Sequence, residues 1–147
     1  MKRKDTIQLP SETLKVARKN QTVAEVYYQF IFCARYRRKI FSEFEPDRIE
    51  DRFKQVLKQV EEELGLEIKQ CVCQDDRVYL DLKAPPLFSP ADIMAKIKTR
   101  TSRELRSHIK GLCHLQGLWT RAYFVTTETV LDPEKVESFL AQQKTRS

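Results

Sequence analysis

The chain has 147 residues, 41% of them hydrophobic and 33% charged, which is the size and make-up of one globular domain with a real core. No apolar run is long enough to span a bilayer, and the basic opening "MKRKDTIQLPSETLKVARKNQ" lacks the apolar block of a secretory signal. The expected location is therefore cytoplasmic, with no membrane partner. The 27 Lys and Arg exceed the 21 Asp and Glu to leave a net charge of +6, which favours a polyanionic partner, because each neutralised phosphate releases a counterion.

Residues 1–22 carry no periodicity and read as a basic arm or a disordered end. Residues 23–147 read as a single domain. Within "EVYYQFIFCARYRRKIF", Val26, Tyr28, Phe30 and Phe32 alternate with Tyr27, Gln29, Ile31 and Cys33, which predicts a long strand. It runs into Arg35, Arg37, Arg38 and Lys39, either a solvated strand end or a phosphate contact. Over residues 46–64 an apolar stripe of Ile49, Phe53, Val56, Leu57, Val60 and Leu64 predicts a helix, stopped by Gly65.

"LEIKQCVC" reads as the next strand, and a turn at Gln74-Asp75-Asp76 joins it to another. In that second strand Val78, Leu80 and Leu82 alternate with Arg77, Tyr79, Asp81 and Lys83, so one set is buried and the other lines the opposite face. A second helix opens at Ser89 and Pro90 with Asp92 completing a capping pattern. Its buried side is Ile93, Ile97, Leu105 and Ile109. Its outer side carries Lys96, Lys98, Arg100, Arg103, Arg106 and Lys110, opposed by only Asp92 and Glu104. "GLWTRAYFVTTE" predicts a fourth strand. A last helix is capped by Asp132, with Val136, Phe139, Leu140 and Gln143 on one face.

The order strand, helix, strand, strand, helix, strand, helix predicts an α+β fold of the ferredoxin-like split βαβ plan. It has a four-stranded antiparallel sheet, helices on one face and a C-terminal helix. The other face is left to carry a site. Cys33, Cys71, Cys73 and Cys113 read as reduced thiols. Cys71 and Cys73 share a strand face, and Cys113 with His114 would complete a zinc set, but the paired Cys-x-x-Cys knuckles of such sites are absent. His108 and His114 read as structural or surface residues.

Several pieces in order resemble the single-tyrosine transposases of the histidine–hydrophobe–histidine (HUH) type, which include the REP-associated tyrosine transposases of insertion-sequence kinship. They are "FCARYRRKIF", "EELGLEI", "DDRVYLDLKAPPLFSPADI", "KTRTSRELR", "LWTRAYFVTT" and "FLAQQ", spanning roughly residues 24–144. The resemblance implies a site in which two histidines on one strand, with a polar residue from the last helix, hold Mg²⁺ or Mn²⁺ against a scissile phosphate of single-stranded DNA. A tyrosine on the last helix then attacks and retains the DNA as a phosphotyrosine. It also implies a homodimer, with the last helix near the partner's site.

This chain departs from that pattern. Family members read Asp-His-Val-His where it reads Asp76-Arg77-Val78-Tyr79, and the family tyrosine falls on Phe139. Gln143 matches the third ligand position. Arginine has no lone pair to give a metal, and a benzyl ring has no nucleophile. The expectation is a catalytically inactive transposase-like protein, a pseudoenzyme that binds hairpin or single-stranded DNA and needs no cofactor. DNA contacts are expected from Arg35, Arg37, Arg38, Lys39, Arg77, Lys96, Lys98, Arg100, Arg103 and Arg121. Tyr79 is expected to pack beneath the last helix beside Phe139. Two alternatives stay open: an active metal-dependent transposase or nuclease, rebuilt around Tyr79 or around Asp75, Asp76 and Asp81, and a regulatory or dimerisation partner of active transposases.

Overall fold

The computed structural model describes residues 24–143; the arm expected over residues 1–22 lies outside them. Among the described residues the strands and α-helices follow in the order β1 (Val26–Cys33), α1 (Pro46–Leu64), β2 (Glu67–Gln74), β3 (Arg77–Ala84), α2 (Pro90–His108), β4 (Phe124–Thr126) and α3 (Pro133–Ala141), with single 3-10 turns at Arg35–Arg37 and Lys110–Leu112. The four strands form one antiparallel sheet in the order β2-β3-β1-β4, the ferredoxin-like arrangement predicted from the element order.

Alternation along β3 sorts its residues onto two faces. Val78, Leu80 and Leu82 are fully buried against Phe30 and Phe32 of β1 and the apolar sides of α1 and α2. Each helix ends where its sequence dictates. Gly65 closes α1 with φ +71°, a left-handed conformation that costs glycine nothing. The Asp92 N–H donates to Ser89 Oγ at 3.0 Å while the Ser89 N–H donates to Asp92 Oδ2 at 3.1 Å, a reciprocal cap for α2.

One end of the core is an aromatic cluster. The Trp119 ring lies 4.9 Å from Phe32 and 5.9 Å from Phe53, and Phe41 stands 5.8 Å from Phe53. The buried indole N–H donates to Thr101 Oγ1 at 2.9 Å, and the Thr101 hydroxyl donates in turn to the Ile97 carbonyl. No polar group of that cluster is left without a bond, which is what burying a tryptophan requires.

The fourth strand is shorter than the sequence suggests. Of residues 117–128 only Phe124–Thr126 pair as a strand, with Trp119 making one isolated bridge to Ala34. The reason lies in α2. The Lys98 ammonium donates to the carbonyls of Thr120, Ala122 and Arg121 at 2.7, 3.1 and 3.2 Å, which draws those acceptors away from any sheet ladder.

The second face of the sheet is only partly open. Gln29 Nε2 donates to the Glu128 carbonyl at 2.7 Å, and Phe139 of α3 packs on Phe124 at 6.1 Å. Gln29 and Ile31 on β1 are buried as a result, whereas β3 keeps its outer residues half-exposed and β2 leaves its own exposed. No helix among the described residues is long and apolar enough to cross a membrane.

Candidate functional site

The two-residue link between β2 and β3 sets the site's centre. Asp75 adopts φ +50°, which aspartate tolerates better than most residues. The carbonyls of Asp75 and Asp76 accept the N–H groups of Phe41 and Ala34 at 2.9 and 2.8 Å, tying the turn to the segment that follows β1. Asp76 is thereby buried, its side chain 6% exposed.

Two arginines converge on this carboxylate. Arg37 Nε donates to Oδ2 at 2.9 Å and Arg77 Nε donates to Oδ1 at 2.8 Å. Burial alone would raise the Asp76 carboxyl, but the hydrogen bonds from Arg77 and Arg37 prevail and hold it below the usual range. Burial opposes the charge on Arg77 as well, and Asp76 with the Tyr79 phenol overcomes that and keeps it firmly protonated. The cluster carries two positive charges against one negative. Each guanidinium has five N–H donors, so one bond through Nε leaves others for a further acceptor.

Beneath Arg77 lies its cross-strand partner Cys33. Burial, then the Asp76 charge, pushes that thiol up to about 11, so it is no nucleophile at neutral pH. Beside the cluster, Tyr36 sits between two cations, its ring 5.4 Å from the Arg35 guanidinium carbon and 5.3 Å from that of Arg38. Tyr36 and Arg37 have φ +61° and +54°, two successive left-handed residues without glycine.

Two clefts extend from here. One, of about 460 Å³, is lined by Arg35, Tyr36, Thr120, Arg121, Ala122, Gln142 and Gln143. The other, of about 550 Å³, runs along α2 past Lys98, Arg103, Arg106 and Arg121 and has no carboxylate in its lining. They share Thr120 and Arg121, so the basic surface is continuous from the end of β1 to the outer side of α2.

The cations expected to bind DNA are not equivalent. Arg100 donates to Glu63 at 2.8 Å and to Gln59 at 3.1 Å, and Lys96 stands 3.8 Å from Glu63. Lys98 is committed to the three carbonyls and lies 5.3 Å from the Tyr123 ring centre, and burial pushes its ammonium down to about 8. Arg106 holds the Leu115 carbonyl at 2.9 Å. Arg35, Lys39, Arg103 and Arg121 are exposed. The sequence reading gave Asp76 no part in holding the arginines together; the adjacency of an acid and Arg77 at a turn was the available signal.

Of the degenerate family positions, Arg77 and Tyr79 share a face of β3, while Phe139 meets Phe124 rather than Tyr79. Tyr79 instead borders a cleft that Gln29, Ile31, Asp81 and Leu131 also line. Gln143 is spent locally: its Oε1 accepts from the Thr120 hydroxyl at 3.1 Å and its Nε2 donates to the Phe139 carbonyl at 3.1 Å. This donor set does not fit the family's divalent cation, since a protonated guanidinium faces where an imidazole is needed. Among the described residues no three His, Cys, Asp or Glu side chains are grouped to hold a metal ion. Asp76, in the link before β3, and Asp81, on the strand itself, do not converge either, being five residues apart along extended chain, a span of roughly 17 Å. Burial raises the Asp81 carboxyl, with Tyr27 opposing the shift.

The profile of the family described as "Transposase IS200 like" matches residues 22–143. A provisionally assigned transposase from Deinococcus radiodurans R1, solved by crystallography, superposes with a TM-score of 0.72 at 23% identity, over 84% of this chain and 94% of that one. A REP-associated tyrosine transposase bound to a REP hairpin superposes at 0.54 with 11% identity, over 80% of this chain and 65% of that one. No curated protein sequence matches significantly.

Proposed function

The chain belongs to the IS200-like transposase family, and from that premise we propose that it is a DNA-binding member that grips hairpin or single-stranded DNA without breaking it. The observation that carries this reading is Arg77 held on Asp76 beside Arg37, at the strand position where the family pattern has a histidine ligand. A fixed guanidinium there neutralises a phosphate electrostatically and needs no metal. Phe139 offers no hydroxyl for a covalent step. Arg35, Arg103 and Arg121 extend the contact along the two joined clefts, and Arg38 and Lys39 add charge in the loop that follows β1.

Fluorescence anisotropy with labelled hairpin and single-stranded oligonucleotides in EDTA tests the proposal. Binding that weakens steeply with salt, and is unchanged by added Mg²⁺, is expected. No binding at low salt refutes it. Cleavage in Mn²⁺, lost in Tyr79→Phe, would support an active, rebuilt enzyme instead. A homodimer is part of the proposal, since β2 ends the sheet and presents one unpaired edge. Light scattering of the free protein reads the stoichiometry, and a monomer that still binds DNA would leave dimerisation without a role.

A further inference from the structure

Away from the basic clefts, we propose that Cys71 and Cys73 on the edge strand β2 form a two-coordinate site for a soft, monovalent, thiophilic cation of the copper(I) class. The placement begins with an irregularity. The pairing of β2 with β3 shifts between Ile68 and Gln70, so Lys69 is the extra residue of a bulge. Past it, Cys71 stands opposite Leu80 and Cys73 opposite Val78, both fully buried on the helix-covered face. Both thiols therefore point toward the α1 layer. Each remains half-exposed, because an edge strand has no neighbour on its outer side.

The two thiols influence one another along the strand. Interaction with Cys73, helped by the Lys54 charge, draws the Cys71 thiol down against the effect of burial, while Cys71 and burial push Cys73 up. A cleft of about 330 Å³ opens beside Cys71, bordered by Lys54, Lys58, Lys69 and Glu61. This is the partly exposed, electropositive setting in which a thiolate is reactive.

Spacing decides what such a pair can hold. A disulfide needs Cβ atoms about 3.5–4.5 Å apart, whereas same-face neighbours on a strand sit roughly 6.7 Å apart. A direct S–S bond would demand backbone movement; a bridging atom would not. A four-ligand zinc set is not assembled. Cys113 is exposed on the loop after α2, its thiol donating to the Lys110 carbonyl, and no third His, Cys, Asp or Glu joins the pair among the described residues. Two sulfur donors with no third ligand suit a soft monovalent ion.

Binding is a simple exchange. The Cys71 and Cys73 sulfurs each form one bond to the cation, each S–H proton leaves to solvent, and no oxidation state changes. The bis-thiolate complex carries one negative charge, which Lys54 is placed to offset; Lys54 is itself paired with Glu50 at 2.9 Å.

The test uses the reduced full-length chain under anaerobic conditions, with Ag⁺ as a redox-inert probe and Cu⁺ supplied from a competing chelator. One ion per chain is expected. It should protect Cys71 and Cys73 together from iodoacetamide, as mapped by mass spectrometry on the wild type, and release protons on binding. Cys71→Ser and Cys73→Ser should each bind more than ~100-fold more weakly, through loss of the second donor, with apo melting curves confirming that they fold. Cys113→Ser should bind as the wild type does. Two independently bound ions, protection of one cysteine only, or binding indifferent to Cys71→Ser would each overturn the site.

Discussion

The two faces of β3 are built from the same eight residues and answer to different demands. On one, Val78, Leu80 and Leu82 vanish beneath α1 and α2. On the other, Arg77, Tyr79, Asp81 and Lys83 remain half-exposed, and one of them is locked to a buried carboxylate. Burial of apolar area is non-directional and tolerates no charge, so the first face specifies the fold. The second face contributes little to the core and is free to change its chemistry. A chain can therefore keep a family's architecture while replacing the residues that performed its reaction.

The sharpest way to break this division is to strike the apolar side. Trp119→Ala should cost roughly 3–5 kcal/mol, read as a lower denaturant midpoint, since it empties a site packed by Phe32, Phe41 and Phe53. If stability barely moves, the aromatic cluster is not the anchor described here.

On the polar side, Asp76→Asn should cost about 2 kcal/mol, because it leaves two guanidiniums around a neutral amide. It should also flatten the acid limb of the stability–pH curve. The folded carboxyl titrates below its unfolded value near 4, so between the two values the unfolded chain binds more protons. The contribution is thus complete above that unfolded value and lost as pH falls through the folded one. An unchanged acid limb would show that Asp76 is not the titrating partner.

Smaller effects separate cations that bind DNA from those that hold the fold. Arg103→Ala and Arg121→Ala should each weaken DNA binding by roughly fivefold, about 1 kcal/mol, and lower the salt slope by about 0.7, with melting unchanged. Arg100→Ala should do the reverse, loosening α1 from α2 through lost bonds to Glu63 and Gln59 while leaving affinity nearly intact. Smallest of all, Phe139→Tyr alone should yield no covalent DNA adduct on a denaturing gel, because restoring a hydroxyl does not restore a metal. An adduct would return the chain to the active members of its family.

Much of the fold was legible because each helix carries its own punctuation: Ser89 with Asp92, Asp132, and Gly65. The alternation in β3 likewise announced both of its faces. What escaped the linear reading depends on distant partners. Apolar parity in β2 runs through Leu66 and Ile68 and resumes out of step at Cys71, and only pairing with β3 shows that Lys69 absorbs the slip. The truncation of the fourth strand follows from Lys98, some 22 residues upstream of Thr120. The cations of α2 looked alike as letters, yet Arg100 is spent on α1 and Lys98 on the loop. The last helix packs on its own sheet through Phe139 and Phe124, a contact between residues 15 apart that no periodicity in the sequence announces. Of the degenerate positions, Arg77 and Tyr79 were placed correctly on one strand face, whereas the contact between Tyr79 and Phe139 did not form.

The backward-twisting pair Tyr36 and Arg37 has an energetic corollary. For side chains with a Cβ, that geometry costs on the order of 1–2 kcal/mol each, and glycine would remove the penalty at either place. Glycine would also delete an aromatic ring flanked by two cations, or one arm of the Asp76 clasp. The loop thus accepts a contorted path so that its charges emerge at fixed angles: Tyr36→Gly should relieve strain and weaken the hold on a ligand, whereas Arg37→Gly should lose as much through the broken Asp76 clasp as it gains from the relaxed backbone.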